Sequence, residues 1–599
     1  MHDDLICTEL LAIADEEQKR IEKLLPDQLD GFALFMESIR LCDFLGIISK
    51  EIPQEDHAPQ NLDIIRMGWN VATSSLFKPL NVKGFPLTES TEESRARVYQ
   101  VLFRLGSCIL LRRVVDMIRT GLVTAERDHE NFIFRKHADA DTQYLDEKEF
   151  ADLENIFDII KSEAKDHYGA WDVVGVEDFN EALKKPGNFM SNQGADFIYY
   201  EIADIEAEMR PLIRPWTSNH GLLLLGYESS PDLDHHFLAK ALKVYSIWRD
   251  EAGFAPGVPV GEVDGHDLML VIICIISFHL KHIHFALIAA KEYPDISLPQ
   301  NLTIWTITAE LIQSIADFTN VAALKVAQIF NVIMLKPGDI DMLRKHTSRF
   351  MPLLIDAGNG FIIRPVSSVL YNPLFSLIST LEYRDPNFRH QLSAPREAWL
   401  RSHLYALFSG DRYQNIPGNI KLRENKRVIT DIDAAVYDTL TGELALFQIK
   451  WQDFFYNDVK KLRSKASNLI RELDEWAEKM SKWLAAHTTD ELVANLKLRP
   501  VNGRSLTTVR LFAISRNAAR MQGYGYHSTS PDLAIANWPQ FHRNRLETGP
   551  TATVISDLFN AIKEESTQAI STRPIPFEIN ISDKTMYFED LWSTVREDK

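Results

Sequence analysis

Four side chains able to hold a divalent cation and a phosphate fall on two short segments of the chain, TDIDAAVYD and ELALFQIKW. Both segments have strand composition, and the loop from Thr439 to Gly442 between them contains glycine, so the spacing predicts a β-hairpin. If Asp438 pairs with Glu443, Asp433 lies opposite Gln448 and Asp431 opposite Lys450. Side chains alternate along a strand, so all four then project from one face. Two carboxylates, an amide and an ammonium are costly to bury as packing alone. Carboxylate and amide oxygens suit Mg2+ (or Mn2+), an ion that keeps several waters and is held by one or two carboxylates, which makes Asp433, Gln448 and Asp431 the candidate ligands. Such an ion acidifies bound water and neutralises phosphoryl charge, while a neighbouring lysine stabilises charge as it develops. The chemistry expected of this set is hydrolysis of a phosphodiester. Asp431 has a second reading, as a surface strand residue paired with Lys450.

The elements that must position these residues are legible around them. A helix is expected at PREAWLRSHLYALF, with Pro395 near its first turn, where a missing N–H costs little. A strand at NIKL, the hairpin, a basic-then-acidic helix from about Asp458 to His487 and the strand TTVRLFAIS follow. A late strand pair is expected at PFEINI and TMYFED. The order helix, strands, helix, strand reads as one α/β unit of about 200 residues, spanning 391–599.

Asp433, followed by Gln448-Ile449-Lys450 on a hairpin and preceded by a helix carrying Glu397, resembles the PD-(D/E)xK nuclease superfamily, in the variant with glutamine in place of the second acid found in Mrr-like restriction endonuclease domains. The resemblance covers about residues 391 to 540. It implies that Asp433 is the metal-binding acid, that Gln448 is a ligand through its side-chain oxygen, that Lys450 is the catalytic lysine and that Glu397 completes the site. Ile432 stands where the usual proline precedes the aspartate. The same resemblance implies a restriction-endonuclease-like α/β domain, a nucleic-acid substrate, DNA first, and a role in restriction or anti-phage defence.

Lys460, Lys461, Arg463 and Lys465 crowd the start of the helix after the hairpin, and Arg516 and Arg520 follow the later strand. They are candidates for gripping a nucleic-acid backbone. The alternative for the helix cluster is a solvated face pairing with Glu472, Asp474, Glu475 and Glu478. Trp451, Phe454, Phe455 and Tyr456 read as core first and as base-stacking residues second.

The rest of the 599-residue chain is different in character. Its composition, 45% apolar and 25% charged, is that of a globular protein. The net charge of -19 discourages a nucleic-acid partner until it is divided. Residues 391–599 hold 28 Lys and Arg against 26 Asp and Glu, so the acidity belongs to residues 1–390. That front region shows helical periodicity throughout and is expected to be a mainly α-helical regulatory or interaction unit, with a division suggested near 230–260. Short strands are expected at LVTAERD, NFIFRKH and FIIRPV, and helices at segments beginning at Asp234, Leu268, Leu302 and Ala322.

The apolar run from Leu268 stops at Phe278 and meets His279, Lys281, His282 and His284, so a buried helix is expected rather than a membrane span. Those histidines read as polar positions lining a bundle. Asp232, Asp234, His235 and His236 read as a helix N-terminus, with a second metal site as the alternative. Cys7, Cys42, Cys108 and Cys274 contain no CxxC pair, which favours a reducing, cytoplasmic compartment. The fold class expected is therefore multidomain, α plus α/β. Two functions are compatible with it: a Mg2+-dependent endonuclease, or a nuclease-like domain without chemistry that binds nucleic acid or serves as a scaffold. A helical region of this size also offers surface for homo-oligomerisation.

Overall fold

The computed structural model describes residues 2–25, 28–51, 60–77, 85–137, 204–254, 258–345, 351–370, 372–418, 420–424, 426–451, 459–499, 506–516, 528–565, 572–591 and 593–595. Helices predominate, with several small sheets between them.

Helices α1 (His2–Glu22), α2 (Gln28–Glu51), α3 (Gln60–Leu76) and α4 (Glu92–Arg119) share one apolar core. The start of α4 is fixed locally. The Thr91 hydroxyl accepts the Ser94 N–H, the Ser94 hydroxyl accepts the Thr91 N–H, and Glu92 and Glu93 occupy the first turn. Where α3 and α4 cross, Gly68 and Gly106 bring the backbones together. A Cβ on either would stand 1.8 Å from the Leu102 or Ile64 carbonyl oxygen.

The expected hairpin follows as β1 (Val123–Asp128) and β2 (Asn131–Lys136). Further on, α5 (Pro231–Ala252) and α6 (Gly265–Glu292) pack together. Asp264 caps α6 by accepting the His266 and Asp267 N–H groups. Among the described residues α6 is the one helix long and apolar enough to cross a membrane, and 78% of its apolar window is buried within the protein. The segment beginning at Leu302 opens as strand β3 (Ile304–Ile307) instead of a helix, because its β-branched residues pair with a partner strand. Helix α7 (Thr308–Thr319) comes only after it. With α8 (Ala323–Ile333), β4 (Leu354–Gly358) and β5 (Phe361–Arg364), the small sheet runs β3-β5-β4 and ends on a short strand at Met334–Leu335.

After α9 (Pro373–Arg384), α10 (Phe388–Ala406) leads into the α/β unit. Residue 391 falls inside α10, and the suggested division at 230–260 spans α5 and the start of the connection to α6. Pro395 is likewise interior to α10, not in its first turn.

The unit's strands are β6 (Tyr413–Ile416), β7 (Ile420–Glu424), β8 (Arg427–Ile432), β9 (Ala434–Asp438) and β10 (Glu443–Lys450). They are followed by α11 (Val459–Ala486), α12 (Thr489–Leu496), β11 (Thr508–Ser515), β12 (Leu533–Asn537), α13 (Trp538–Thr548) and α14 (Val554–Glu565). Five strands form one sheet in the order β12-β11-β10-β9-β6, parallel from β10 to β12 and antiparallel toward β6. Alternation along β9 and β10 divides the two faces. Ala435, Tyr437, Leu444 and Leu446 pack on Leu469, Leu473, Trp476 and Met480 of α11, while Val436, Ala445 and Phe447 pack with α10, α13 and α14.

The late pair β13 (Phe577–Ile581) and β14 (Lys584–Phe588) leaves this sheet. It joins the front hairpin in the order β1-β2-β14-β13, with β14 parallel to β2. Ile579, Met586 and Phe588 face Phe132 and Phe134, a match the α/β core does not offer, and the Phe134 and Phe588 ring centroids lie 5.0 Å apart. The unit expected over 391–599 thus gives its end to the helical region. Phe588→Ala is expected to cost about 3–5 kcal/mol. Hydrogen exchange should show the loss in α1–α4 amides while β9–β11 amides stay protected; uniform loss across both regions would contradict this placement.

Candidate functional site

The hairpin register is the expected one. Tyr437 pairs with Leu444 and Ala434 with Phe447, and the Asp433 N–H donates to the Phe447 carbonyl at 3.0 Å, which brings Asp433 beside Gln448. The strand expected at TDIDAAVYD, however, is divided between two strands meeting at Asp433. β9 enters the five-stranded sheet, whereas β8 peels away to pair with β7. Asp431 therefore lies opposite Lys421 and is exposed, and the expected pairing with Lys450 does not form. The divergence is pinned by Trp476 of α11, whose indole N–H donates to the Asp431 carbonyl at 2.9 Å.

Asp433 is 8% exposed and Gln448 5%. One carboxylate oxygen, Oδ2, accepts both the Gln448 Nε2 amide at 2.6 Å and the Ile449 N–H at 2.8 Å. Oδ1 accepts no hydrogen bond among the described residues. Burial raises the Asp433 carboxyl from its ordinary value near 3.8 to about 6; the Ile449 N–H and Lys450 oppose this, and Asp431 and Glu397 add to it. Those causes place Lys450, Asp431 and Glu397 within electrostatic reach of one buried carboxylate. Lys450, half-buried at the end of β10, and Glu397, half-buried on α10, make no ion pair among the described residues.

Asp433 Oδ1 is an unfilled hard donor beside an amide and within electrostatic reach of Lys450, and an ion held by only one or two carboxylates could use it. Among the described residues no group of three or more Asp, Glu, His or Cys side chains is placed to hold a metal ion. In one respect the site departs from expectation. Gln448 faces Asp433 with its nitrogen, so giving its oxygen to an ion shared with Asp433 requires a half-turn of the amide.

Arg401 was not among the residues expected. It sits on α10 one turn beyond Glu397, and a Cβ on Gly418 would lie 2.3 Å from both the Arg401 Nε and the Asp433 carbonyl oxygen. The strand-end loop after β6 therefore closes over both groups. The four-residue step from Glu397 is the sequence signal that could have found it.

The expected nucleic-acid contacts divide differently. Arg516 is fully buried, with its guanidinium carbon 6.0 Å from the Trp451 ring centroid, and does not present itself to a phosphate backbone. It is buried because its N–H donates to the Lys450 carbonyl, continuing the parallel pairing past Ser515 into the core. The side chains of Lys460, Lys461, Arg463 and Lys465 lie outside the described residues, as do Arg520, Phe454, Phe455 and Tyr456. Trp451 packs as core, stacked on Trp399 at 6.5 Å. Further along α11, the Asp474 carboxylate accepts the Ser528 and Thr529 hydroxyls and the Thr529 N–H, so it is not reserved for the basic cluster. Asp232 and Asp234 lie in the first turn of α5, as expected of a helix N-terminus.

Comparison of the chain with protein-family models, with curated proteins and with solved structures finds no match.

The raised Asp433 carboxyl makes a test by pH. The folded state holds this proton more tightly than the unfolded state, where the value is near 3.8, so the group's contribution to stability falls as pH rises from about 4 through about 6. A divalent cation competes with the same proton. Mn2+ is therefore expected to raise the melting temperature at pH 7.5 and to lose that effect below pH 6, and Asp433→Asn should abolish the response. An equal Mn2+ shift at pH 5 and 7.5 would contradict the assignment.

Proposed function

We propose that the chain is a divalent-cation-dependent phosphodiester hydrolase, an endonuclease whose C-terminal α/β unit has the restriction-endonuclease-like fold and acts on nucleic acid, with DNA as the substrate to test first. The observation that carries this reading is the contact of Asp433 with Gln448 across the hairpin, with Asp433 Oδ1 unfilled and Lys450 and Glu397 within electrostatic reach. The mixed sheet with helices on both faces supports it.

In this reading Asp433 and Gln448, with Asp431 or Glu397, would hold Mg2+ or Mn2+, and the ion would supply an acidified water and charge neutralisation at the phosphoryl oxygens. Lys450 presents a fixed positive charge where the phosphoryl group gains negative charge. The origin of its side chain, at the end of β10, is set by pairing with Ser515 of β11. The Ile449 N–H holds Asp433 Oδ2 and so orients Oδ1. Restriction or defence against phage is the role that the family resemblance adds to this chemistry.

A second reading is favoured by one observation. The Gln448 amide already satisfies Asp433 through its nitrogen, which is what a nuclease fold used only for binding or scaffolding would retain.

Incubating the purified chain with supercoiled plasmid and Mg2+ or Mn2+ separates the two. Cleavage is expected, with loss of at least about a hundredfold in both Asp433→Asn and Lys450→Met while circular dichroism shows the fold retained, because the lost interactions belong to the transition state. Binding without cleavage supports the second reading, and cleavage that survives both substitutions removes the site assignment.

A further inference from the structure

Away from the α/β unit, the core around α6 contains an electrostatic imbalance that the proposed nuclease chemistry does not use. Arg364, the last residue of β5, is 8% exposed, and Lys281 on α6 is 7% exposed. Both cations address the same ring. The Lys281 ammonium lies 5.5 Å and the Arg364 guanidinium carbon 5.8 Å from the Phe278 centroid. One carboxylate accompanies them, Asp234 at the start of α5, and it is spent on Lys281, which also donates to the Ser229 hydroxyl at 3.0 Å.

The remaining neighbours of Arg364 among the described residues are neutral. Its Nε donates to His279 Nε2 at 3.4 Å, His279 Nδ1 lies 3.3 Å from the Ser368 hydroxyl, and that hydroxyl donates to the Pro365 carbonyl at 2.6 Å. Tyr227 meets His282 Nδ1 at 3.2 Å, and His282 Nε2 donates to the Asn301 carbonyl at 2.7 Å. Burial, reinforced by Arg364, pushes His279 well down and His282 to about 4, so neither imidazole adds charge at neutral pH. Tyr227 is pushed up to about 12 by burial and stays a phenol. The local sum is two positive charges against one negative. The terminal nitrogens of the Arg364 guanidinium meet no acceptor among the described residues.

A buried guanidinium without a counter-ion is among the costliest arrangements a core can hold, and its planar fork is the geometry that accepts one edge of a carboxylate or phosphate. We propose that this polar cluster between α6, β5 and the start of α5 is a binding site for a small oxyanion, the carboxylate or phosphoryl group of a small-molecule ligand, received on the terminal nitrogens of Arg364, with Lys281 on the same Phe278 ring adding to the positive potential. The site is independent of the Asp433 cluster. It gives the helical region a ligand of its own.

Isothermal titration of the full chain with inorganic phosphate, and separately with succinate, at constant ionic strength tests this. One site per chain is expected for at least one of the two. Arg364→Met should abolish it, and Lys450→Met should leave it intact. Binding of phosphate alone assigns a phosphoryl ligand, and binding of succinate alone a carboxylate ligand. Absence of binding by both anions, binding that persists in Arg364→Met, or binding lost in Lys450→Met would overturn the proposal. Should Arg364→Met fail to fold, Arg364→Lys, which keeps the charge but loses the fork, is expected to weaken binding at least about tenfold, and unchanged affinity there would overturn it equally.

Discussion

Asp433 Oδ2 receives two N–H donors, the Gln448 side chain and the Ile449 backbone, and these bonds hold a carboxylate in a place that burial makes unfavourable for its charge. Much else in the α/β unit is arranged around that compromise. The strand that carries the acid divides at it, so that β9 continues the sheet and β8 turns aside under Trp476. The second oxygen accepts no hydrogen bond among the described residues and lies within electrostatic reach of Lys450, Asp431 and Glu397. A cation there would resolve the same electrostatic conflict that the proton resolves at low pH.

The helical region reaches this site through its flanking residues. Arg396, adjoining Glu397, donates to the Gly253 carbonyl at 2.9 Å and the Ala252 carbonyl at 3.2 Å, at the end of α5. Trp451, adjoining Lys450, fills the space over Gly253, whose φ of 65° and 1.9 Å distance from a built Cβ to the indole leave no room for a side chain. Arg396 also lies over the Trp451 ring at 5.4 Å. Packing between α5 and the α/β unit thus restrains the neighbours of two residues assigned to the site, so the two regions are mechanically joined.

What was legible in the sequence was mostly local and periodic. The hairpin register followed from the alternation of β9 and β10 and the glycine-containing loop, and it correctly placed Asp433 beside Gln448. The histidines and lysine that end its apolar run mark the α6 segment as a buried helix, and 78% of its apolar window is buried. What failed required knowledge of tertiary partners. Alternation alone carries Asp431 into the hairpin, since nothing in TDIDAAVYD marks where one strand hands over to another, a point decided by Trp476 forty-five residues later. The pair β13–β14 has ordinary strand composition, and only Phe132 and Phe134, more than four hundred residues earlier, determine which sheet it joins. Arg516 looked like a surface cation by type, yet the continuation of β11 carries it inward. The direction of the Gln448 amide and the charge imbalance at Arg364 depend on side-chain neighbours that spacing does not reveal.

The central claim is that Asp433 and Gln448 form a cation site, and locating the ion tests it most directly. Crystals of the chain grown with Mn2+ and measured at the manganese absorption edge are expected to show one anomalous peak per chain within coordination distance of Asp433 Oδ1, with the Gln448 amide turned to present its oxygen, and no such peak in Asp433→Asn. A peak at another cluster, or none at Asp433 while the Gln448 nitrogen still donates to its carboxylate, would contradict the account.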